Sequence, residues 1–424
     1  MSLQTFQANV RLQADARVAD ACAALTAREH PRYAFLDSSQ SADEQNNVTR
    51  LAREVRSRTD HLLVLGIGGS SLGAIAVMNA CVLPDRDRVT VLESPDPITL
   101  ARWMAKLDPA RTAVNVISKS GNTIETLSQW AVLKQWLGAD HKDRVVITTD
   151  PDKGPLRKMA MAEGYRTLPV PELVGGRLSV FTPVGTFPLV YAGADIGRFA
   201  AGIAVAATRI TPDGFASRIA RTLVQAHQVE HRNIVVLWPY GDALFQVGRW
   251  FQQLWGESLG KAIHTDGTIA HTGSTPMACI GPNDQHSLLQ LFGDGPRDKH
   301  FLFLSVETLP ERLMVEATPV SGLDYLQGLE LGQILRAEAL ATSAALASQK
   351  HPTTFVSLPT LSQEMVAELF THLMAATVIA ARLYDVDPFD QPAVEIGKKI
   401  ALGLLGHPDH KDNLAQYREF LPKF

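Results

Sequence analysis

Residues 62–74 read LLVLGIGGSSLGA: an unbroken apolar run, three glycines within four residues, two serines, then a helix start. A short apolar run closed by glycine fits a strand buried on both faces. Glycine has no Cβ, so backbone N–H groups in such a turn can approach a ligand closely. The helix that follows presents its positive end to the same place, which favours an anion. Ser70 and Ser71 add hydroxyl donors. The dinucleotide fingerprint GxGxxG is matched at Gly66 and Gly68, but its third position holds Ser71. Glu93 ends the next apolar run, where an acidic residue would hold a ribose, so a nicotinamide reading stays open beside a plain tight turn. A Walker A loop is absent: residues 256–261 are too short for one, and Ala262 follows the lysine.

Working outward, apolar runs recur as VTVLES from Val89, VNVIS from Val114 and VVITT from Val145. Segments with apolar spacing of three and four separate them. Strand–helix–strand alternation implies a parallel sheet with helices on both faces. Residues 181–229 read as mostly helical, with Thr182 as N-cap and Pro183 at the first helical position. Strand-like runs return as NIVVLWP from Asn233, FLFLSVE from Phe301 and TTFVSL from Thr353, and the chain reads as helix from about Gln363. The expected fold is therefore α/β, with two units, each a mostly parallel sheet flanked by helices, and a C-terminal helical segment. The expected divisions are an N-terminal helical segment over 1–45, a first α/β domain over 46–205 and a second over 206–424.

Composition agrees. The chain has 424 residues, 46% of them hydrophobic, too many for one core, since single cores stop growing near ~250–300 residues. A net charge of -4 without a basic block gives no reason to expect nucleic acid. Cys22, Cys81 and Cys279 form no CxxC pair and suggest a reducing compartment. The polar N-terminus does not resemble a signal peptide. HLMAATVIAARLY from His372 is broken by Thr377 and Arg382 and reads as a buried helix rather than a membrane span. The expectation is a cytoplasmic enzyme without metal or other cofactor.

A second turn repeats the logic of the first. VNVIS runs into KSGNTIETL, so Ser118, Lys119, Ser120, Gly121, Asn122 and Thr123 crowd one helix start. Plain capping by Asn122 or Thr123 needs only one such residue; a run of them suits a phosphate. Two such turns on neighbouring parallel strands would face one sheet edge. Candidates for acid–base chemistry lie further on. Glu257 in WGESLGK stands four residues before Lys261, which alone reads as a surface ion pair. Its neighbours Phe251, Leu254 and Trp255 suggest a partly buried face instead, where a carboxylate can serve as a base. His286 follows the turn-forming Pro282-Asn283-Asp284, Lys398 lies on a helix opened by Pro392, and Arg177 stands behind Gly175 and Gly176.

Taken together, GIGGSSLG, ISKSGNTIET, GGRLSVFTPVG, WGESLGK, GPNDQHS and PFDQPAVEIGKK, in that order, resemble the glucose-6-phosphate isomerase family over residues 62–399. The resemblance implies two sugar-isomerase-type domains and interconversion of glucose 6-phosphate and fructose 6-phosphate through an enediolate. It implies Glu257 as the base moving the proton between C2 and C1, and Arg177 as the partner of the enediolate. It further implies His286 as the ring-opening group and Lys398 as a group near the ring oxygen. Phosphate contacts are implied for Ser118, Lys119, Ser120, Thr123 and Thr126, and further contacts for Gly69, Ser70, Gln253 and Gln391. A homodimer is implied in which His286 reaches the neighbouring subunit's site. Ser71 departs from the acidic residue common at its position, and residues 262–280 match no form closely.

Overall fold

The computed structural model describes residues 3–10, 12–37, 41–317 and 320–422. Twelve strands among them are β1 (Gln4–Ala8), β2 (His61–Leu65), β3 (Val89–Leu92), β4 (Thr112–Ser118), β5 (Val145–Thr149), β6 (Arg166–Pro169), β7 (Ile234–Pro239), β8 (Lys261–Ile263), β9 (Ile269–Thr272), β10 (Thr275–Ala278), β11 (Lys299–Val306) and β12 (Thr353–Leu358). They form two five-stranded sheets, ordered β3-β2-β4-β5-β6 and β1-β12-β11-β7-β10, and a small β8–β9 hairpin. Every pairing in the first sheet is parallel. The second is parallel too, except that β1 joins β12 antiparallel.

The apolar runs became strands because each can be buried on both faces: all five residues of β2, all seven of β4 and all eight of β11 are buried. The four-residue β6 and β10, which carries Pro276, gave no comparable run, and proline confines a strand to an edge, where β10 lies. The N-terminal segment also differs from expectation. It holds the helix Ala16–Ala27, but it opens with β1, which joins the second sheet although it precedes the first in the chain.

Both sheets reverse their winding beside the first of their parallel strands, β2 and β7. In the first sheet β2 is followed by β3 on one side and β4 on the other. The loops after β2 and β4 therefore leave in opposite directions from one crevice, the place where open α/β sheets take ligands. Those are the two turns singled out by composition. In the chain between β6 and β7 come the helices Pro183–Tyr191, Ile196–Thr208 and Phe215–Gln228. Thr182 caps the first of them through Val184 N–H, ahead of Pro183. Helix Gln363–Tyr384 runs through the core, its apolar length covered on nearly all sides. It anchors the helix Phe245–Leu259, because Phe370 stacks on Trp250 with ring centroids 4.0 Å apart. Burial of such side chains contributes about 1.5–3 kcal/mol each and holds Glu257 on a rigid support.

Candidate active site

Arg177 is the hub. The turn Gly175-Gly176-Arg177 lies back to back with the first glycine turn: a Cβ at Gly69 would fall 2.3 Å from the Gly176 carbonyl carbon and 2.7 Å from Arg177 N. Only glycine lets these two backbones meet. A Cβ at Gly68, whose φ is +59°, would likewise fall 2.8 Å from Gln253 Nε2. The close approach brings the guanidinium against the helix Phe245–Leu259.

Only 5% of the Arg177 side chain is exposed. Burial pulls its pKa down from the ordinary arginine value, opposed by the charge of Glu257. All five of its N–H donors meet acceptors. Nε donates to Ser258 Oγ at 2.8 Å, and Nη1 donates to Glu257 Oε2 at 3.0 Å and Gln391 Oε1 at 2.9 Å. Nη2 donates to the carbonyls of Pro388 and Asp390. A planar fork with five fixed donors suits such a crossing of three chain segments; a lysine does not.

Glu257 has one carboxylate oxygen on Arg177 and the other accepting from Gln253 Nε2 at 3.1 Å. Its side chain is 32% exposed, so it faces the opening. The aromatic neighbours Phe251 and Trp255 point into the core, and Glu257 stands on the polar edge of the same helix with Gln253. The surface ion pair with Lys261 does not form. Lys261 is buried and its ammonium bonds Asp390 and the backbone carbonyl of Glu257.

The second turn joins through Lys119. Its Nζ donates to the carbonyls of Glu172 at 2.8 Å and Val174 at 2.9 Å, directly ahead of Gly175. Burial lowers its pKa from the usual lysine value. Thr123 occupies the N-cap position of helix Ile124–Leu137 but makes no capping bond. Its hydroxyl pairs with Ser118 Oγ at 2.8 Å. The first N–H groups of the helix thus keep no side-chain partner at the cap, and Thr126 Oγ1, buried in the first turn, has no hydrogen-bond partner. Buried hydroxyls are ordinarily satisfied, so this turn has the features of an anion cradle. Ser120 Oγ is engaged with Asn122 Oδ1 at 2.6 Å. In the first turn Ser70 is partly exposed, while Ser71 is buried and donates to Glu93 Oε1 at 2.6 Å. Glu93 therefore braces the loop, which weakens the ribose reading.

Two sequence candidates are not drawn into this cluster. His286 is exposed at the end of the short turn Asn283–Gln285, and its ring makes no hydrogen bond among the described residues. Its neighbour Gln285 anchors the segment through Tyr240 Oη and Thr342 Oγ1, each at 2.6 Å. Lys398 lies on the helix Val394–Leu404, 64% exposed, paired with Glu395 at 2.9 Å. Conversely, Ser258, Asp390 and Lys261 contact this cluster and carried no catalytic or binding role in the sequence reading. Ser258 and Lys261 sit inside the motif already quoted, but only the packed fold shows which way they point.

The phosphoglucose isomerase family model matches residues 49–309. A glucose-6-phosphate isomerase of Carboxydothermus hydrogenoformans is 36% identical over 387 residues, covering 86% of this chain and 82% of the relative. One from Rubrobacter xylanophilus is 38% identical over 397 residues, covering 89% and 90%. A hypothetical protein of Thermus thermophilus, of known crystal structure, superposes with a TM-score of 0.84 at 34% identity, covering 92% of this chain and 94% of that one.

Proposed function

The chain belongs to the phosphoglucose isomerase family, and from that premise we propose that the Arg177–Glu257 cluster is where it moves a carbonyl between neighbouring carbons of a sugar phosphate. The enzyme is an aldose–ketose isomerase interconverting D-glucose 6-phosphate and D-fructose 6-phosphate, a step of glycolysis and gluconeogenesis. Its two domains are of the sugar-isomerase type, with proposed divisions at 45/46 and 205/206.

The observation that carries the site assignment is the exposed carboxylate of Glu257, held by Arg177 at 3.0 Å on a rigid helix. Proton transfer between adjacent carbons needs one base within reach of both, and a cation for the oxyanion that develops. Glu257 takes the proton from C2 and returns it to C1. Arg177 supplies the positive field. Because all five of its donors are occupied, a direct bond to the enediolate oxygen requires an Nη1 acceptor to turn away. Gln391, exposed and neutral, is released at least cost. Gln253 holds the second carboxylate oxygen.

The phosphate lies at the start of helix Ile124–Leu137, bound by Ser118, Lys119, Ser120, Thr123 and Thr126, with Gly69 and Ser70 at the neighbouring turn. Lys119 has spent two of its three donors on carbonyls; the third is left for the anion. Lys119→Ala is expected to raise KM about tenfold or more while kcat changes little, since a charge-assisted bond contributes about 1.5–3 kcal/mol. An unchanged KM would place the phosphate elsewhere.

His286 and Lys398 fit the ring-opening roles only in an assembly. Both are exposed within one chain, and the helix Val394–Leu404 that bears Lys398 packs mainly on the neighbouring C-terminal elements. Val394, Ile396, Leu404, Leu405 and Phe420 remain exposed there. A homodimer that covers this arm and delivers His286 to the neighbouring site accounts for both. The free state of all three cysteines suits a cytoplasmic setting. The direct test is conversion of fructose 6-phosphate to glucose 6-phosphate, followed alongside light scattering across a dilution series. Turnover should fall as dimers dissociate. Absence of turnover sinks the site assignment, and a fully active monomer sinks the shared site.

A further inference from the structure

Lys261 closes the WGESLGK segment and is only 8% exposed. A buried ammonium must have its donors met. Those of Lys261 go to the backbone carbonyl of Glu257 at 3.0 Å, to the backbone carbonyl of Asp390, and to Asp390 Oδ1 at 2.8 Å. The first acceptor belongs to the last turn of helix Phe245–Leu259, where a cation complements the negative end of the helix. The other two belong to the residue next to Gln391. Arg177 grips the same loop through the carbonyls of Pro388 and Asp390. Residues 388–391 are therefore held by two buried cations. Each cation also touches Glu257, Arg177 at the carboxylate and Lys261 at the backbone.

We propose that Lys261 is a positioning residue for the isomerisation. It ties the helical turn bearing Glu257 to the loop bearing Gln391, and so fixes the carboxylate against Arg177 and against the carbons it serves. It contacts neither the phosphate turn nor the open face of Glu257. Its effect is on geometry: a base must lie within hydrogen-bond reach of the proton it moves, and a displacement of about 1 Å can lower a rate about 100-fold. The proposal rests on Glu257 being the base, which Glu257→Gln tests separately.

Lys261→Met is expected to lower kcat about 100-fold while KM for fructose 6-phosphate stays within about threefold, because the phosphate grip is untouched. Asp390→Ala, which removes one acceptor and keeps the backbone carbonyls, should lower kcat about tenfold. The double variant should be no worse than Lys261→Met alone, because both changes act through one contact. A purely structural role would lower the melting temperature and leave kcat of the folded protein near wild type. A folded Lys261→Met with kcat within about threefold of wild type overturns the proposal, as does a double variant whose losses multiply. Should Lys261→Met fail to fold, Asp390→Ala decides, and an unchanged kcat there overturns it.

Discussion

Glu257→Gln is expected to lower kcat by about 10³, the usual worth of a positioned base, with KM within a few-fold of wild type. The replacement has nearly the same shape. Its amide oxygen can still accept from Arg177 Nη1, now at 3.0 Å from the carboxylate. Its amide nitrogen would face Gln253, whose Nε2 presently donates to Glu257. Gln253 Oε1 is buried without a partner, so a flip of the Gln253 amide restores that bond. Packing and phosphate grip therefore survive, and only proton acceptance is lost. Steady-state kinetics together with calorimetric binding of the sugar phosphate check both halves. Near-normal turnover would place the base elsewhere, and lost binding would mean that Glu257 mainly shapes the site.

Arg177→Met should do damage of two kinds. It removes the cation facing the developing oxyanion, worth about 10²–10³ in kcat/KM by comparison with single oxyanion-stabilising donors. It also takes a donor from five acceptors, Ser258 Oγ, Glu257 Oε2, Gln391 Oε1 and the carbonyls of Pro388 and Asp390, of which the Asp390 carbonyl keeps Lys261. Breaking a buried ion pair from one side costs about 3–5 kcal/mol. Glu257 is about a third exposed and water reaches it, so the lower end of that range is expected. Urea unfolding measures the stability loss, and kcat/KM measures the other. Arg177→Lys should recover little, because one point charge cannot reach five acceptors spread over two segments, 257–258 and 388–391. Wild-type stability in Arg177→Met would show that the 388–391 loop is held by other contacts.

Much of this was legible in the chain because it is locally encoded. The strands β2, β4, β5, β7, β11 and β12 announce themselves as apolar runs. The two turns at Gly66 and Ser118 follow from glycine and hydroxyl residues placed before helices. β1, β6 and β10 were silent because four or five residues at or near a sheet edge carry too little apolar pattern. The partner of Lys261 was not legible for a different reason. A spacing of four on a helix offers Glu257, but Lys261 lies beyond the helix end at Gly260, and its stem turns inward to Asp390, 129 residues away.

The proposed grip for an anion, opened by LLVLGIGGSSLGA, was thus legible in the sequence itself, since glycine content and helix starts shape the local backbone. Parallel order and the crevice between β2 and β4 followed from alternation of strands and helices. Tertiary structure alone decided that Gly69 meets Gly176, that Arg177 turns all five donors on segments up to 214 residues distant, and that Lys261 faces the 388–391 loop. Those contacts join segments far apart in the chain, and their directions are set by packing rather than by any spacing a sequence displays. His286 and Lys398 stand one level further out, exposed on the single chain and assigned to a shared site only through the proposed dimer.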